Sequence, residues 1–123
     1  MSGTFHRLFV ANRGEVADFA ASLIDRGVAE MVVLALGPDG SVLATRAGRW
    51  HARTRDVPVR SRIGAGDSFI GAFTLALAGG ALPHDALVQG CAAASAAVMS
   101  DATDLCTRAD TRALAQSAEL VEI

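Results

Sequence analysis

Six consecutive apolar residues, Met31-Val32-Val33-Leu34-Ala35-Leu36, stand between a helical pattern and the turn residues Gly37-Pro38-Asp39-Gly40. A short apolar run in that setting predicts a strand buried on both faces. Such a strand needs a layer on each side, and helices usually provide it. Before the run, Val16, Phe19, Ala20, Leu23 and Ile24 keep the i, i+3, i+4, i+7 spacing of an amphipathic helix from Gly14 to Asp25. Asn12 stands where a cap would sit, with Glu15 three residues on, and Gly27 takes the C′ position. After the run, Gly37-Pro38-Asp39-Gly40 is strong turn chemistry. Ser41 to Arg46 and Arg49 to Thr54 read as two strands around Ala47-Gly48, and Val57-Pro58-Val59 as extended chain.

The rest of the chain is helical in pattern. Gly64-Ala65-Gly66-Asp67 opens a helix whose face is Phe69, Ala72, Phe73, Ala76 and Leu77, and Gly79-Gly80 ends it. Pro83 suits the first turn of another helix running to about Met99, and a last helix is expected from Asp110 to Glu119. The order predicts an α/β fold with helices packed on a sheet. Phe5, Leu8, Phe9 and Val10 show no period and read as strand or linker, so residues 1–13 stay unassigned and 14–123 form one segment.

Composition narrows the function. A length of 123 residues suits one domain, and 51% apolar with 20% charged residues excludes a disordered tail. All 11 basic residues are arginine, and the net charge of −2 does not favour nucleic acid or an anionic membrane. The apolar runs, Met31 to Leu36 and Cys91 to Met99, fall well short of the ~20 residues of a membrane span. No signal peptide is visible at the N-terminus, so Cys91 and Cys106 are expected as reduced thiols in a cytoplasmic protein.

Arg62-Ile63-Gly64-Ala65-Gly66-Asp67-Ser68-Phe69 carries the chemistry. Two glycines leave backbone N–H groups open to close approach, and the helix behind them adds positive potential at its N-terminus. That makes an anion site suited to phosphate. A carboxylate beside it, Asp67, makes sense if it takes a proton from an attacking hydroxyl while the amides hold the phosphate. The alternative is a plain turn with Asp67 an ordinary helix-start carboxylate. Spacing alone leaves both open.

The stretch Gly64-Ala65-Gly66-Asp67-Ser68-Phe69-Ile70-Gly71-Ala72-Phe73 resembles the C-terminal signature of the ribokinase-like, or phosphofructokinase B, sugar kinases. The similarity runs from about Val16 to Arg112. The Leu36-Gly37-Pro38-Asp39-Gly40 turn and the terminal Leu105-Cys106 resemble the phosphofructokinase branch. The resemblance implies the C-terminal portion of a three-layer α/β fold, with ATP, Mg²⁺ and a sugar phosphate as partners. It implies Asp67 as the catalytic base and Gly64, Ala65 and Gly66 as the anion hole. Gly37 and Gly40 would form a turn passing close to ATP, and Ser95 would line the nucleotide pocket. Ala35 occupies a nucleotide-contacting position without the hydroxyl the family usually has there. Backbone carbonyls at Ser61, Ile63, Ala97 and Ser100 match those that can hold a monovalent cation such as K⁺. Ala102 and Asp104 depart from the Gly and Arg of the phosphofructokinase branch on that side.

The family chain is much longer. Its N-terminal part carries sugar-binding residues, a small lid sheet and an Asn-x-x-Glu motif that organises Mg²⁺. Asn12-Arg13-Gly14-Glu15 imitates that motif but lies too close to the Leu-Gly turn, and reads as a helix cap. The expected function is therefore ATP-dependent phosphoryl transfer to a sugar phosphate, foremost fructose 6-phosphate, as part of a longer enzyme. This chain alone would be inactive. The rival is a non-catalytic anion- or nucleotide-binding module.

The remaining motifs are weaker. His6, His51 and His84 lack zinc-ligand spacing and read as solvent-facing. Arg46, Arg49, Arg53, Arg55, Arg60 and Arg62, with Trp50 among them, read as outward-facing strand residues rather than a nucleic-acid surface. Without a preceding half, Met31 to Leu36 is expected near an open sheet edge. Phe5, Phe9 and Val10 would cover it on a neighbour, giving a homodimer or larger assembly.

Overall fold

A computed structural model describes residues 4–7, 13–61, 63–99 and 108–123. They fall into two compact units, Met1–Ala52 with Leu120–Ile123, and Arg53–Glu119. In the first, β1 (Thr4–Arg7) runs parallel to β2 (Met31–Ala35), with α1 (Arg13–Asp25) between them in the chain. β2 pairs antiparallel with β3 (Ser41–Thr45), and β3 with β4 (Gly48–Arg53). Thr45 faces Gly48, so Arg46-Ala47 is the two-residue hairpin turn. A last strand, β5 (Glu119–Glu122), completes the order β1-β2-β3-β4-β5. Beyond its end, the Ile123 N–H bonds the Arg49 carbonyl at 2.9 Å.

The apolar run behaves as its pattern requires. Val32, Val33 and Leu34 are all buried, so both faces of β2 are covered. On one face Val32 and Leu34 join Val42 and Ala44 of β3 against Ala17, Ala20, Leu23 and Ile24 of α1. α1 ends in a Schellman motif. Val28 N–H bonds the Leu23 carbonyl and Gly27 N–H bonds that of Ile24, each at 3.0 Å. Gly27 sits at φ +73°, which a side chain would resist.

Three expectations are corrected here. β2 is not itself an edge strand, because β1 and β3 flank it and β1 takes the outer position of the described sheet. Phe19 is 44% exposed, because the buried stripe of α1 runs through Ala17, Ala20, Leu23 and Ile24 instead. The last helix spans Arg108–Ser117 and gives way to β5, so the chain ends in a strand. Asn12, Leu8, Phe9, Val10, Ala102, Asp104, Leu105 and Cys106 lie outside the described residues.

The second unit is helical. α2 (Ala65–Ala78) packs on α3 (Pro83–Met99), and α4 (Arg108–Ser117) packs on α3 in turn. Phe69 and Phe73 are buried on α2 with stacked rings, centroids 5.9 Å apart. Gly90 on α3 meets this stack. A Cβ there would lie 2.9 Å from Cε2 and Cζ of Phe69, so the absence of a side chain permits the approach. The buried face of α3 is built from small residues, including Cys91, Ala92, Ala93, Ala96 and Ala97. Cys91 is thus the buried small residue that its surroundings suggested. Leu114 of α4 is fully buried against Ala92 and Ala96.

Candidate phosphate site at the start of α2

Gly64 precedes α2 in the left-handed region, at φ +84° and ψ −4°. A residue with a Cβ would be strained there. The first intrahelical bond runs from Ser68 N–H to the Gly64 carbonyl at 2.9 Å. The N–H groups of Ala65, Gly66 and Asp67 therefore have no acceptor within the helix, and Gly64 offers no side chain to cap them. A Cβ built on Gly66 meets no atom of the described residues within 4 Å, so among them the space beside Gly66 is open. Asp67 lies exposed on the same turn. Gly64, Ala65, Gly66 and Asp67, which the sequence resemblance matched to catalytic positions, thus stand together at one helix start. The left-handed φ belongs to Gly64, whereas Gly66 is an ordinary helical position.

The chain leading into this turn folds back on the end of α3. Arg60 N–H and Ser61 N–H both bond the Val98 carbonyl, at 2.7 and 3.2 Å. The Ile63 N–H then bonds Ser61 Oγ at 3.1 Å. This holds Ser61 and Ile63 beside the last turn of α3, where Ala97 lies and where a helix leaves carbonyls unpaired. Hard oxygen donors without carboxylates suit a monovalent cation, so the residues present fit K⁺. Ser100, the fourth matching position, is outside the described residues. Mg²⁺ is different. Among the described residues no group of three His, Cys, Asp or Glu side chains converges, so none is assigned to Mg²⁺. Further along α3, Ser95 Oγ is 2.5 Å from Thr54 Oγ1, a hydroxyl pair in which Thr54 is buried.

In the first unit, Ala35 ends β2 and Gly37–Asp39 forms a single 3₁₀ turn. Gly37 and Gly40 have φ of +64° and +92°. Leu36 N–H bonds the Gly40 carbonyl at 2.8 Å, closing the loop. His51 Nε2 lies 2.6 Å from the Asp39 carbonyl oxygen. His51 is only 7% exposed, which overturns its reading as a solvent-facing residue. His84 is partly exposed, its Nε2 lying 3.8 Å from Asp85. Arg49 pairs with Asp18 at 2.7 Å and Arg53 with Asp56 at 2.9 Å. Those arginines are committed to carboxylates of this chain. His51 and Thr54 were both missed by sequence reasoning. Their partners, Asp39 and Ser95, are 12 and 41 positions away, and no local pattern signals such a pairing.

The sheet and helices are those of the ribokinase-like α/β kinases. Over 94% of this chain and 40% of the other, the structure is similar to Escherichia coli phosphofructokinase-2 in complex with potassium, with a TM-score of 0.86 and 28% identity. It also resembles ribokinase from Thermotoga maritima, with a TM-score of 0.71 and 29% identity over 82% of this chain and 34% of that one. The chain belongs to the pfkB family of carbohydrate kinases, whose model matches residues 4–110. Among curated proteins it is 36% identical over 98 residues to the ATP-dependent 6-phosphofructokinase isozyme 2 of Escherichia coli (strain K12), which covers 80% of this chain. It spans about a third (32%) of that relative's length. Among the described residues no helix is long and apolar enough to cross a membrane.

Proposed function

We propose that this chain carries the phosphoryl-transfer centre of an ATP-dependent sugar kinase whose acceptor is a sugar phosphate, fructose 6-phosphate foremost. One observation carries the reading: on one turn, the start of α2 offers N–H groups with no acceptor within the helix, a Gly66 at which a Cβ would meet none of the described residues within 4 Å, and an exposed carboxylate. Glycine costs a helix about 0.5–1 kcal/mol relative to alanine. The described residues give no steric reason for a glycine at position 66, since a Cβ there meets none of them within 4 Å. A ligand that must reach the backbone amides does give one.

In this reading Asp67 accepts the proton of the sugar hydroxyl. The hydroxyl oxygen forms its bond to the γ-phosphorus as the bridging P–O bond to ADP breaks. The amides of Ala65, Gly66 and Asp67, with the positive end of α2, hold the transferring group. Mg²⁺, arriving with the nucleotide phosphates, supplies charge neutralisation when bound. Gly37 and Gly40 shape a nucleotide turn, with Ala35 and Ser95 at further nucleotide positions. Carbonyls of Ser61, Ile63, Ala97 and Ser100 would hold K⁺, a reading that the return of residues 60–61 to Val98 supports. The matching relative's description as an ATP-dependent 6-phosphofructokinase supports the choice of donor and acceptor.

A second reading, a nucleotide-binding module without turnover, draws on the chain's 32% share of that relative's length. One experiment separates them. MgATP binding is measured by calorimetry, and ADP release with fructose 6-phosphate by a coupled assay. Binding with turnover supports the kinase reading. Binding without turnover moves this chain alone to the second reading and leaves the first standing for the longer enzyme, and no binding counts against both.

A further inference from the structure

We infer that His51 is a positioning residue for the nucleotide: its imidazole fixes the Gly37–Gly40 turn from the neighbouring strand. The inference rests on the proposed nucleotide role of that turn. Both of its glycines lie at positive φ, and a 3₁₀ turn of three residues has little of its own to hold it. Its own bonds are the Leu36 N–H to Gly40 carbonyl at 2.8 Å, which closes its ends, a long contact from Asp39 N–H to the Leu36 carbonyl at 3.4 Å, and Gly40 N–H to the Gly37 carbonyl at 3.1 Å; none of them holds the Asp39 carbonyl. The bond from His51 is the shortest of the four, at 2.6 Å, and comes from outside the turn to that carbonyl.

The sheet places it there. His51 stands opposite Val42 on β3, the second residue after the turn hands over to the strand at Ser41. From that position its side chain reaches back to the Asp39 carbonyl. A carbonyl oxygen only accepts, so Nε2 must carry the proton and donate it. His51 is 7% exposed, so water cannot readily replace the bond if the ring is removed. The Asp39 carbonyl would be left seeking another donor, and the turn would be free to rotate its peptide planes. Nucleotide would then bind only after the turn is re-ordered, which lowers affinity without touching the ligand itself.

The test uses the full chain, with MgATP as the probe and calorimetry as the readout, on wild type, His51→Ala and His51→Gln. Circular dichroism at the assay temperature confirms that each variant is folded. His51→Ala should weaken MgATP binding about tenfold, the loss expected for a buried hydrogen bond left without its donor. His51→Gln keeps an N–H donor and should restore most of that loss, which a purely volume-filling role would not do. Long-range ¹⁵N–¹H correlation on the wild type should show His51 protonated at Nε2, and this arm stands even if His51→Ala fails to fold. Unchanged affinity in His51→Ala, no rescue by Gln, or an unprotonated Nε2 each overturns the inference while the proposed function stands. A wild type that binds no MgATP overturns both.

Discussion

Gly66→Ala separates a structural glycine from one kept for a ligand, because the two roles predict opposite signs. Gly66 lies in the first turn of α2, outside the left-handed region, and a Cβ there meets no atom of the described residues within 4 Å. Nothing in the fold should resist the methyl group. Alanine also restricts the unfolded chain, so the variant should gain about 0.5–1 kcal/mol in stability. Unfolding entropy near 2.1 cal/mol/K per residue gives about 0.26 kcal/mol/K for 123 residues, so Tm should rise by roughly 2–4 °C. Binding should move the other way. The methyl group would stand in front of the amides of Ala65 to Asp67, where a phosphate oxygen must come within about 2.9 Å. MgATP affinity should fall at least about tenfold, a loss of ~1.4 kcal/mol. Scanning calorimetry without nucleotide reads the first quantity and titration calorimetry the second. A higher Tm with unchanged affinity would show that the turn does not receive phosphate. A lower Tm would show that the space at Gly66 is filled in solution.

The other predictions rest on single features. Asp67→Asn keeps shape and removes basicity, so turnover in an active form of the enzyme should fall about 10²–10⁴-fold while MgATP still binds, and a loss under tenfold by coupled assay would remove Asp67 as the base. Gly90→Ala puts a Cβ 2.9 Å from the Phe69 ring and should destabilise by about 1–3 kcal/mol in urea unfolding. Phe73→Ala empties a site that is 1% exposed and should cost about 3–5 kcal/mol by the same measurement. Assembly into a homodimer or larger species is expected, with pairing along β1, which has one neighbour among the described strands. Light scattering that returns a single 12.7 kDa species would refute it.

What the sequence by itself determined is whatever depends on neighbours along the chain. The run at Met31–Leu36 could be read as a doubly buried strand because every residue in it is apolar, whichever face it takes. Gly27 and Pro83 marked helix boundaries through the backbone geometry each allows. Gly64 to Asp67 announced a helix start, since that too is local. The tertiary structure alone decided what depends on distant partners. Thr4–Arg7 shows no period of its own and becomes a strand only beside β2. Glu119–Glu122 has too few apolar residues to declare a strand and is one because it completes the sheet beside β4. Phe19 keeps helical spacing yet stays exposed, because the core line of α1 is set by where Val32 and Leu34 present themselves. His51 looked like a surface histidine until the hairpin of β3 and β4 carried it to the Asp39 carbonyl. A side chain's role there follows from which strand it lies against, and strand pairing is settled only when the whole sheet has formed.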